Sequence, residues 1–225
     1  MTEDARDNAL SCELTPPQLA KVEGGVTLFA VCARVRLRDG RTRVIEQQVM
    51  RVARTLRGEV KRVLVADDLE GEEALAGFTQ RGGGSLASLP SSCGIIPEAA
   101  ANGARAYRLT DDSAERSVGV RTAFFEPVEA GLIARASVRL RQVEGAGCTL
   151  YLQCWKVKEK SYTIVKTKTC AGTGDWEDVA VEVQIPAGTT AITCEVFSGT
   201  SSVGVCDFDD IEFALFAPQM IVYWK

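Results

Sequence analysis

The stretch Cys148-Thr-Leu-Tyr-Leu-Gln-Cys-Trp155 alternates small or aliphatic residues with polar and aromatic ones, with a period of two. Successive side chains of a β-strand point to opposite faces of its sheet, so the pattern predicts a strand with one face in a core. The core face would carry Leu150, Leu152 and Cys154. The opposite face would carry Thr149, Tyr151, Gln153 and Trp155.

The same alternation recurs along the chain after this stretch and before it. Turn residues separate the alternating segments, at 145–147, 172–174, 186–188 and 198–199. Short strands with turn signals at such intervals predict an antiparallel sandwich or barrel. We expect strands at 132–143, 148–155, 162–167, 179–185, 192–197 and 206–216. Further core-facing residues would be Val179, Val181, Val183, Ile185, Ile192, Cys194, Val196, Ile211, Phe213 and Leu215.

Composition narrows the classes of function. The chain has 225 residues, with 30 acidic and 26 basic side chains, a net charge of −4 and no histidine. Without histidine it forms neither a Ser-His-Asp triad nor a Cys-His pair, and it has no imidazole base or metal ligand. The hydrophobic content of 46% is enough for a substantial core. These features predict a protein that is not an enzyme, and the net charge argues against nucleic acid as a partner.

The N-terminus bears on location. Residues Met1 to Asn8 are polar and acidic, without the basic-then-apolar order of a secretory signal. No apolar run reaches the roughly 18–20 residues that a membrane helix needs. We therefore expect no signal peptide, synthesis in a cytosol, no membrane partner and a final position on a virion or extracellular particle.

Eight cysteines are spread along the chain without any C-x-x-C pair. This spacing indicates neither a zinc ribbon nor a redox motif. Several cysteines fall in phase with apolar strand residues, where a free thiol behaves as a small hydrophobic group. We expect mostly reduced core cysteines, with disulfides such as Cys12–Cys32 as the alternative.

Charge divides the chain into two parts. Residues 34–62 contain ten basic and three acidic side chains, a net charge of +7, so the other residues, with 16 basic and 27 acidic side chains, carry −11. The difference predicts a small basic adaptor or docking domain at residues 1–62. Such a domain suits an acidic protein partner, or phosphates if nucleic acid were bound.

Within this part, residues 26–37 alternate loosely, and Asp39-Gly40 is typical of a tight hairpin turn. Arg34, Arg36 and Arg38 would share one strand face and form the docking surface. Apolar residues at Ile45, Val49, Val52 and Leu56, followed by Gly58, favour an amphipathic helix. A strand is the alternative, because residues 42–45 include β-branched side chains. We expect a small β-rich domain, for which an Ig-like fold is one option.

Four motifs resemble those of galactose-binding-like carbohydrate-binding modules, the group that contains families 4, 9 and 22. They occur in family order and cover about residues 63–217. The motifs are Val65-Ala-Asp-Asp-Leu-Glu70, Gly103-Ala-Arg-Ala-Tyr-Arg-Leu-Thr110, Gly172-Thr-Gly-Asp-Trp176 with Pro186-Ala-Gly188, and Phe208-Asp-Asp-Ile-Glu-Phe213. The resemblance implies an all-β fold, with a jelly-roll β-sandwich at 63–217 behind the N-terminal domain and a C-terminal tail at 218–225.

The resemblance also implies a structural Ca²⁺ that ties the first strand to the last. Calcium prefers several oxygen ligands, and by motif position Glu70 and Asp209, with Asp68 nearby, would supply them. The alternative is a cluster of strand-end carboxylates paired with arginine or solvent. Asp209 and Asp210 would point to opposite faces of a strand and make a poor glycosidase pair.

The polar face of residues 148–155 is the candidate ligand site, because the family's ligands bind such a face. Aromatic rings beside planar polar groups suit sugars, whose C–H faces stack while their hydroxyls form hydrogen bonds. A protein-contact face is the alternative. The predicted members are Tyr151, Gln153, Trp155, Arg135, Arg139, Gln184 and Glu195, with Glu182 and Phe197 beside them.

These features predict a non-catalytic binding or structural protein. We expect a carbohydrate-binding-module-like sandwich displayed on a larger assembly, such as a phage particle where it would be a decoration or tail component, and contacting surface glycans. Its partners would be other subunits of that assembly, in an oligomer, and cell-surface or polysaccharide glycans. The alternative is a carbohydrate-binding module, alone or attached to an enzyme, in a polysaccharide-degrading system.

Overall fold

The computed structural model describes residues 26–36, 40–55, 58–97, 100–199 and 203–223, with backbone alone for 26–36, 42–55 and 220–223. These ranges form fourteen β-strands and two 3₁₀ turns, at Leu86–Ser88 and Val157–Glu159. The strands are β1 (Val26–Arg36), β2 (Thr42–Thr55), β3 (Val60–Asp67), β4 (Phe78–Gln80), β5 (Gly94–Pro97), β6 (Arg105–Asp111), β7 (Gly119–Thr122), β8 (Ile133–Gly145), β9 (Thr149–Lys156), β10 (Ser161–Thr169), β11 (Glu177–Gln184), β12 (Ala191–Phe197), β13 (Gly204–Phe216) and β14 (Gln219–Tyr223).

Two antiparallel sheets pack into a jelly-roll β-sandwich, which confirms the predicted all-β fold. The front sheet has the order β10-β9-β12-β7-β4. The back sheet has the order β11-β8-β13-β6-β5, and β3 also pairs with β13. One apolar core contains residues of both sheets, as packed sheets require.

The core follows the predicted strand phases. Every residue predicted to face inward on β9, β11, β12 and β13 is buried, and the same applies to Ile185 just after β11. Full burial of one such aliphatic or aromatic side chain contributes about 1.5–3 kcal/mol to folding. The six predicted strands correspond to β8–β13. Three strands of three or four residues, β4, β5 and β7, were not predicted, because so short a segment shows no period.

Six cysteines lie among the residues with described side chains, and all are free thiols. Cys93 is partly exposed and the other five are buried. Burial raises the pKa of Cys154 to about 12, because the thiolate would lose its hydration. Reduced core cysteines are therefore confirmed for these positions. Cys12 lies outside the described residues, as does the side chain of Cys32.

The N-terminal strands form a separate three-stranded sheet in the order β1-β2-β14. β1 and β2 pair as the predicted antiparallel hairpin. The helix favoured near residues 45–56 is wrong, because β2 forms strand pairs with both β1 and β14. The register between β1 and β2 shifts where Val31 pairs with Gln48 and Ala33 with Ile45. β2 therefore has one more residue than β1 between these pairs, which interrupts the period of two at that point.

The chain enters and leaves the sandwich at one place. The backbone N–H of Gly58 donates to the carbonyl of Ala217, and the N–H of Ala217 donates to the carbonyl of Glu59, each at 2.9 Å. The predicted domain boundary after residue 62 falls within β3, and the predicted C-terminal tail contains β14. The division into domains stays a prediction. No helix within the described ranges is long and apolar enough to cross a membrane.

Candidate functional site

The outer face of the front sheet brings the polar residues of β9 and β12 together. Tyr151 pairs with Glu195 and Gln153 pairs with Thr193 in the strand register. Directly paired residues of an antiparallel sheet project from the same face. The alternation of β9 and the register with β12 therefore place four side chains side by side, with Leu150 and Leu152 in the core beneath them.

A chain of hydrogen bonds links these side chains. Trp155 Nε1 donates to Thr193 Oγ1 at 3.0 Å, and Thr193 Oγ1 donates to Gln153 Oε1 at 3.0 Å. Gln153 Nε2 then donates to Glu195 Oε2 at 3.1 Å. Thr193, Gln153 and Glu195 are buried. Because buried polar groups lose free energy when unpaired, this network holds the orientation of the tryptophan ring and of the carboxylate.

Three aromatic side chains, Phe124, Trp155 and Tyr162, form an aromatic ridge beside the network. The Trp155 and Tyr162 ring centres lie 4.0 Å apart, and Phe124 meets Trp155 edge to face at 5.4 Å. Tyr162 is 49% exposed and Phe124 is 39% exposed. Trp155 is half-buried and contributes to an outer surface rather than to the core of the sandwich.

A cavity of about 310 Å³ lies next to the ridge. We call it the groove. Two arginines flank the buried Glu195 in it: Arg81 Nε lies 3.6 Å from Glu195 Oε2, and Arg121 Nη1 lies 4.0 Å from Oε1. The lining residues are Arg81, Gly82, Ser117, Arg121, Tyr162 and Glu195.

The backbone positions both arginines. Arg121 pairs directly with Glu195 in the register of β7 and β12. The backbone N–H of Arg81 donates to the carbonyl of Gly119 at 2.9 Å, and its guanidinium stacks 3.7 Å above the centre of the Phe197 ring. A side chain at Gly119 would clash, because its Cβ would lie 2.3 Å from that of Phe197. Glycine at this position thus permits the close approach of β7 and β12.

Electrostatics distinguish Glu195 from an ordinary surface carboxylate. Burial raises the pKa of Glu195, and Arg81, Arg121 and the Gln153 hydrogen bond offset only part of that rise. Burial also raises the pKa of the Tyr151 and Tyr162 hydroxyls. Among the groove's lining residues Glu195 is the one carboxylate, whereas glycosidases use two that flank the scissile bond. The arrangement offers fixed donors and acceptors beside exposed rings, which is suited to binding.

The structure brings together only part of the predicted ligand face. Tyr151, Gln153, Trp155 and Glu195 meet on the front sheet, with Phe197 beside them. The grouping of Arg135, Arg139 and Gln184 with them is wrong, and so is that of Glu182. These four lie on β8 and β11, in the back sheet. Alternation shows which face of its own strand a residue occupies, but it does not show which sheet the strand joins.

The back-sheet residues have local partners. Arg135 Nη1 donates to Ser137 Oγ at 3.0 Å, and Arg139 forms an ion pair with Asp178 at 3.3 Å. Gln184 Nε2 donates to the carbonyl of Gly131 at 3.3 Å. The predicted docking residues Arg34 and Arg36 lie on β1, and Arg38 lies outside the described residues. Their docking role stays a prediction.

The carboxylates predicted to bind calcium accept hydrogen bonds from backbone amides instead. Glu70 Oε1 accepts from the N–H groups of Ala104 and Arg105, both at 2.8 Å. Asp209, which is buried, accepts through Oδ2 from Ala101 at 2.8 Å and from Asn102 at 3.1 Å. Both carboxylates thus fasten the loop before β6.

Asp68 is the third predicted ligand. Its Oδ1 accepts from the backbone N–H of Glu70 at 3.1 Å. Calcium requires converging oxygen ligands, whereas N–H groups carry partial positive charge. The described part of the chain contains no group of three or more Asp, Glu or Cys side chains that could hold a metal ion. The hydrogen bonds of these carboxylates favour a structural role over a metal-binding one, and the calcium site stays a prediction.

Sequence reasoning missed three groove residues, Arg81, Ser117 and Arg121, and it missed Phe124 of the aromatic ridge. Arg81 follows β4 in a turn, and Arg121 lies in the four-residue β7, so neither segment shows a period. Tyr162 had a usable signal. It begins the predicted strand that follows Trp155, and the hairpin register pairs the two residues directly.

Neither a protein-family model nor a curated protein matches the chain. Among solved structures, the CBM22-1 xylan-binding domain of Paenibacillus barcinonensis Xyn10C is similar, with a TM-score of 0.51, 12% identity, and coverage of 71% of this chain and 98% of that domain. The CBM22-1–CBM22-2 tandem domain of the same protein has a TM-score of 0.50 and 13% identity, with coverage of 78% and 56%. These likenesses show a shared fold.

A phage protein is also similar, more weakly. The enzymatically active domain of tailspike protein 4 of bacteriophage CBA120 has a TM-score of 0.47 and 9% identity. The match covers 64% of this chain and 20% of the tailspike chain. This likeness carries no argument about function.

Proposed function

We propose that the chain is a non-catalytic carbohydrate-binding protein whose ligand site is the groove together with the aromatic ridge. One observation carries the proposal: the exposed rings of the ridge adjoin a polar network that is already ordered. Sugars present apolar C–H faces for stacking and hydroxyls for hydrogen bonding, and this surface offers partners for both. The domain of similar fold is named as xylan-binding, which supports a polysaccharide as the ligand.

Preorganisation strengthens this proposal. Binding normally pays for ordering side chains, at about 0.5–1.5 kcal/mol for each long side chain that becomes fixed. The Trp155 ring and the Glu195 carboxylate are held by hydrogen bonds without any ligand, and Arg81 lies against Phe197. A sugar would therefore meet partners whose orientation is largely set.

Affinity electrophoresis against a panel of polysaccharides, including xylan, tests the proposal. Trp155→Ala should abolish retention, because it removes the centre of the ridge and the first donor of the network. Trp176→Ala is the matched control: it is also a half-buried tryptophan, and it packs on Arg141, 4.9 Å away, outside the groove. That variant should keep full retention. If no polysaccharide retards the wild-type chain, the proposal fails.

A subunit contact through the same ridge is the second candidate, favoured by the exposure of Phe124 and Tyr162. In that case the sandwich would be displayed on a larger assembly such as a phage particle, with the basic segment 34–62 as its docking part. Light scattering on the purified chain separates the two candidates. An oligomer that Tyr162→Ala dissociates, in a wild type that binds no glycan, would replace glycan binding with assembly.

A further inference from the structure

Arg121 lies in the groove and lacks a hydrogen-bond acceptor. Its side chain is 16% exposed, and its Nε is buried without a partner. Among the residues that the structure describes, none accepts a hydrogen bond from the Arg121 guanidinium, which lies 4.0 Å from Glu195 and 5.2 Å from the centre of the Phe124 ring. A guanidinium carries five donors in a fixed fork and stays charged at physiological pH. A ligand that brings oxygen acceptors to this fork would therefore be favoured.

Glu195 does not neutralise the groove. Its single carboxylate accepts a hydrogen bond from Gln153 and faces two guanidiniums, of which Arg81 is 3.6 Å away. Arg81 donates to Ser117 Oγ through Nη1. Two arginines and one glutamate among the lining residues leave a net charge of +1 where a ligand would enter.

We propose that the groove selects acidic glycans, in which uronic-acid sugars carry carboxylates. This inference rests on the proposed function and specifies its ligand class. The two oxygens of a carboxylate match the fork of Arg121, and charge-assisted pairs of this kind are stronger than bonds to a neutral hydroxyl. Tyr162 belongs both to the ridge and to the groove lining, so a sugar stacked on its ring brings a ring substituent toward the arginine.

Matched polysaccharides test the charge directly. Several uronic-acid polysaccharides are each compared with their carboxyl-reduced form, which keeps the backbone and replaces every carboxylate with a hydroxymethyl group. The full chain should be retained by acidic forms and bind the reduced forms roughly 10- to 100-fold more weakly, as expected for loss of a charge-assisted contact. Added salt should weaken retention of the acidic forms, because exposed charges are screened.

Three variants assign the effect to the groove. Arg121→Gln should lower affinity for the acidic forms by roughly 10- to 100-fold. Glu195→Gln should raise it, because it removes the negative charge that competes for both arginines. Arg62→Gln is the control, since Arg62 is an exposed residue of β3, in the back sheet. Melting curves test whether each variant is folded. If Arg121→Gln does not fold, the affinity of Glu195→Gln for the acidic forms decides the question.

The outcomes separate this inference from the proposed function. Three outcomes would overturn acidic selectivity and leave glycan binding intact. They are equal retention by the acidic and the carboxyl-reduced forms, retention by neutral glycans alone, and weaker binding of the acidic forms by Glu195→Gln. Failure of every polysaccharide to retain the wild type overturns both.

Discussion

Two clusters of arginine and carboxylate lie on opposite sheets and differ in how completely they are paired. On the back sheet, Asp207 accepts from Arg108 Nε at 2.7 Å and Nη2 at 3.0 Å, and from Arg141 Nη2 at 2.6 Å. In the groove, the charged atoms of Glu195 and its two arginines lie 3.6 and 4.0 Å apart, beyond hydrogen-bond distance. We call the first cluster closed, because its charged groups are hydrogen-bonded to each other, and the second open, because its charged groups are not.

The comparison separates a stabilising role from a binding role for the same residue types. In the closed cluster, hydrogen bonding to Asp207 raises the pKa of Arg108, so the charged pair is favoured. In the open cluster, burial raises the pKa of Glu195 despite the two arginines. Residue identity does not distinguish the two; hydrogen-bond geometry does.

The largest effect is expected from Asp207→Ala. The variant leaves two partly buried arginines facing each other without their carboxylate, and it should lower the free energy of unfolding by about 3–5 kcal/mol. Urea unfolding measures it. Asp178→Ala is the control, because the exposed Asp178 pairs with Arg139 on the same sheet and should change stability by about 0–1 kcal/mol. Equal losses of unfolding free energy in the two variants would show that the Asp207 ion pairs contribute no more than an exposed pair.

Thr193→Val should affect both stability and binding. It leaves Trp155 Nε1 and Gln153 Oε1 unpaired, which should cost about 1–3 kcal/mol in unfolding and weaken glycan retention.

Thr122→Val is the matched control for this substitution. Thr122 is also buried, its Oγ1 accepts from the backbone N–H of Cys194 at 3.1 Å, and it does not line the groove. The Thr122→Val variant should lose a comparable amount of stability and keep its glycan retention unchanged. If Thr193→Val also retains its glycan fully, the network does not orient the site.

A smaller effect concerns pH. The folded pKa of Glu195 is raised above its unfolded value of about 4.3, so the folded state binds the proton more tightly. Stability from this group is complete below pH of about 4 and falls as pH rises through the folded pKa. Glu195→Gln does not titrate. The free energy of unfolding of the wild type should therefore decline relative to this variant over that window. A difference that is constant with pH would contradict the raised pKa.

The smallest effect is expected for calcium. A ligand that binds only the folded state raises the melting temperature once its concentration exceeds the dissociation constant. The carboxylates of Glu70 and Asp209 already accept hydrogen bonds from backbone amides. Millimolar calcium added to chelated protein should therefore leave the melting temperature unchanged. A clear rise in the melting temperature would support the calcium site that the family resemblance implies.

Local periodicity was sufficient for much of the sandwich. The six strands β8–β13, the inward residues of β9 and of β11–β13, and the shared face of Tyr151, Gln153 and Trp155 followed from a period of two, because pleating is a property of each strand alone. The motifs also pointed to Glu70, which follows β3, and to Asp209, which lies within β13, and both carboxylates accept hydrogen bonds from the loop before β6. The amides that they bind belong to residues 101–105, of which only Ala104 and Arg105 fall within one of the four motifs.

The tertiary structure determined which strands lie next to each other in each sheet. The pattern that placed Tyr151 and Trp155 on an outer face placed Arg135 and Arg139 on one too, but only the sheet order separates the front sheet from the back sheet. Arg81 and Arg121 entered the groove because β4 and β7 pair beside β12, through contacts between residues far apart in sequence. Such pairing depends on the packing of the whole chain, so a strand's own sequence does not contain it.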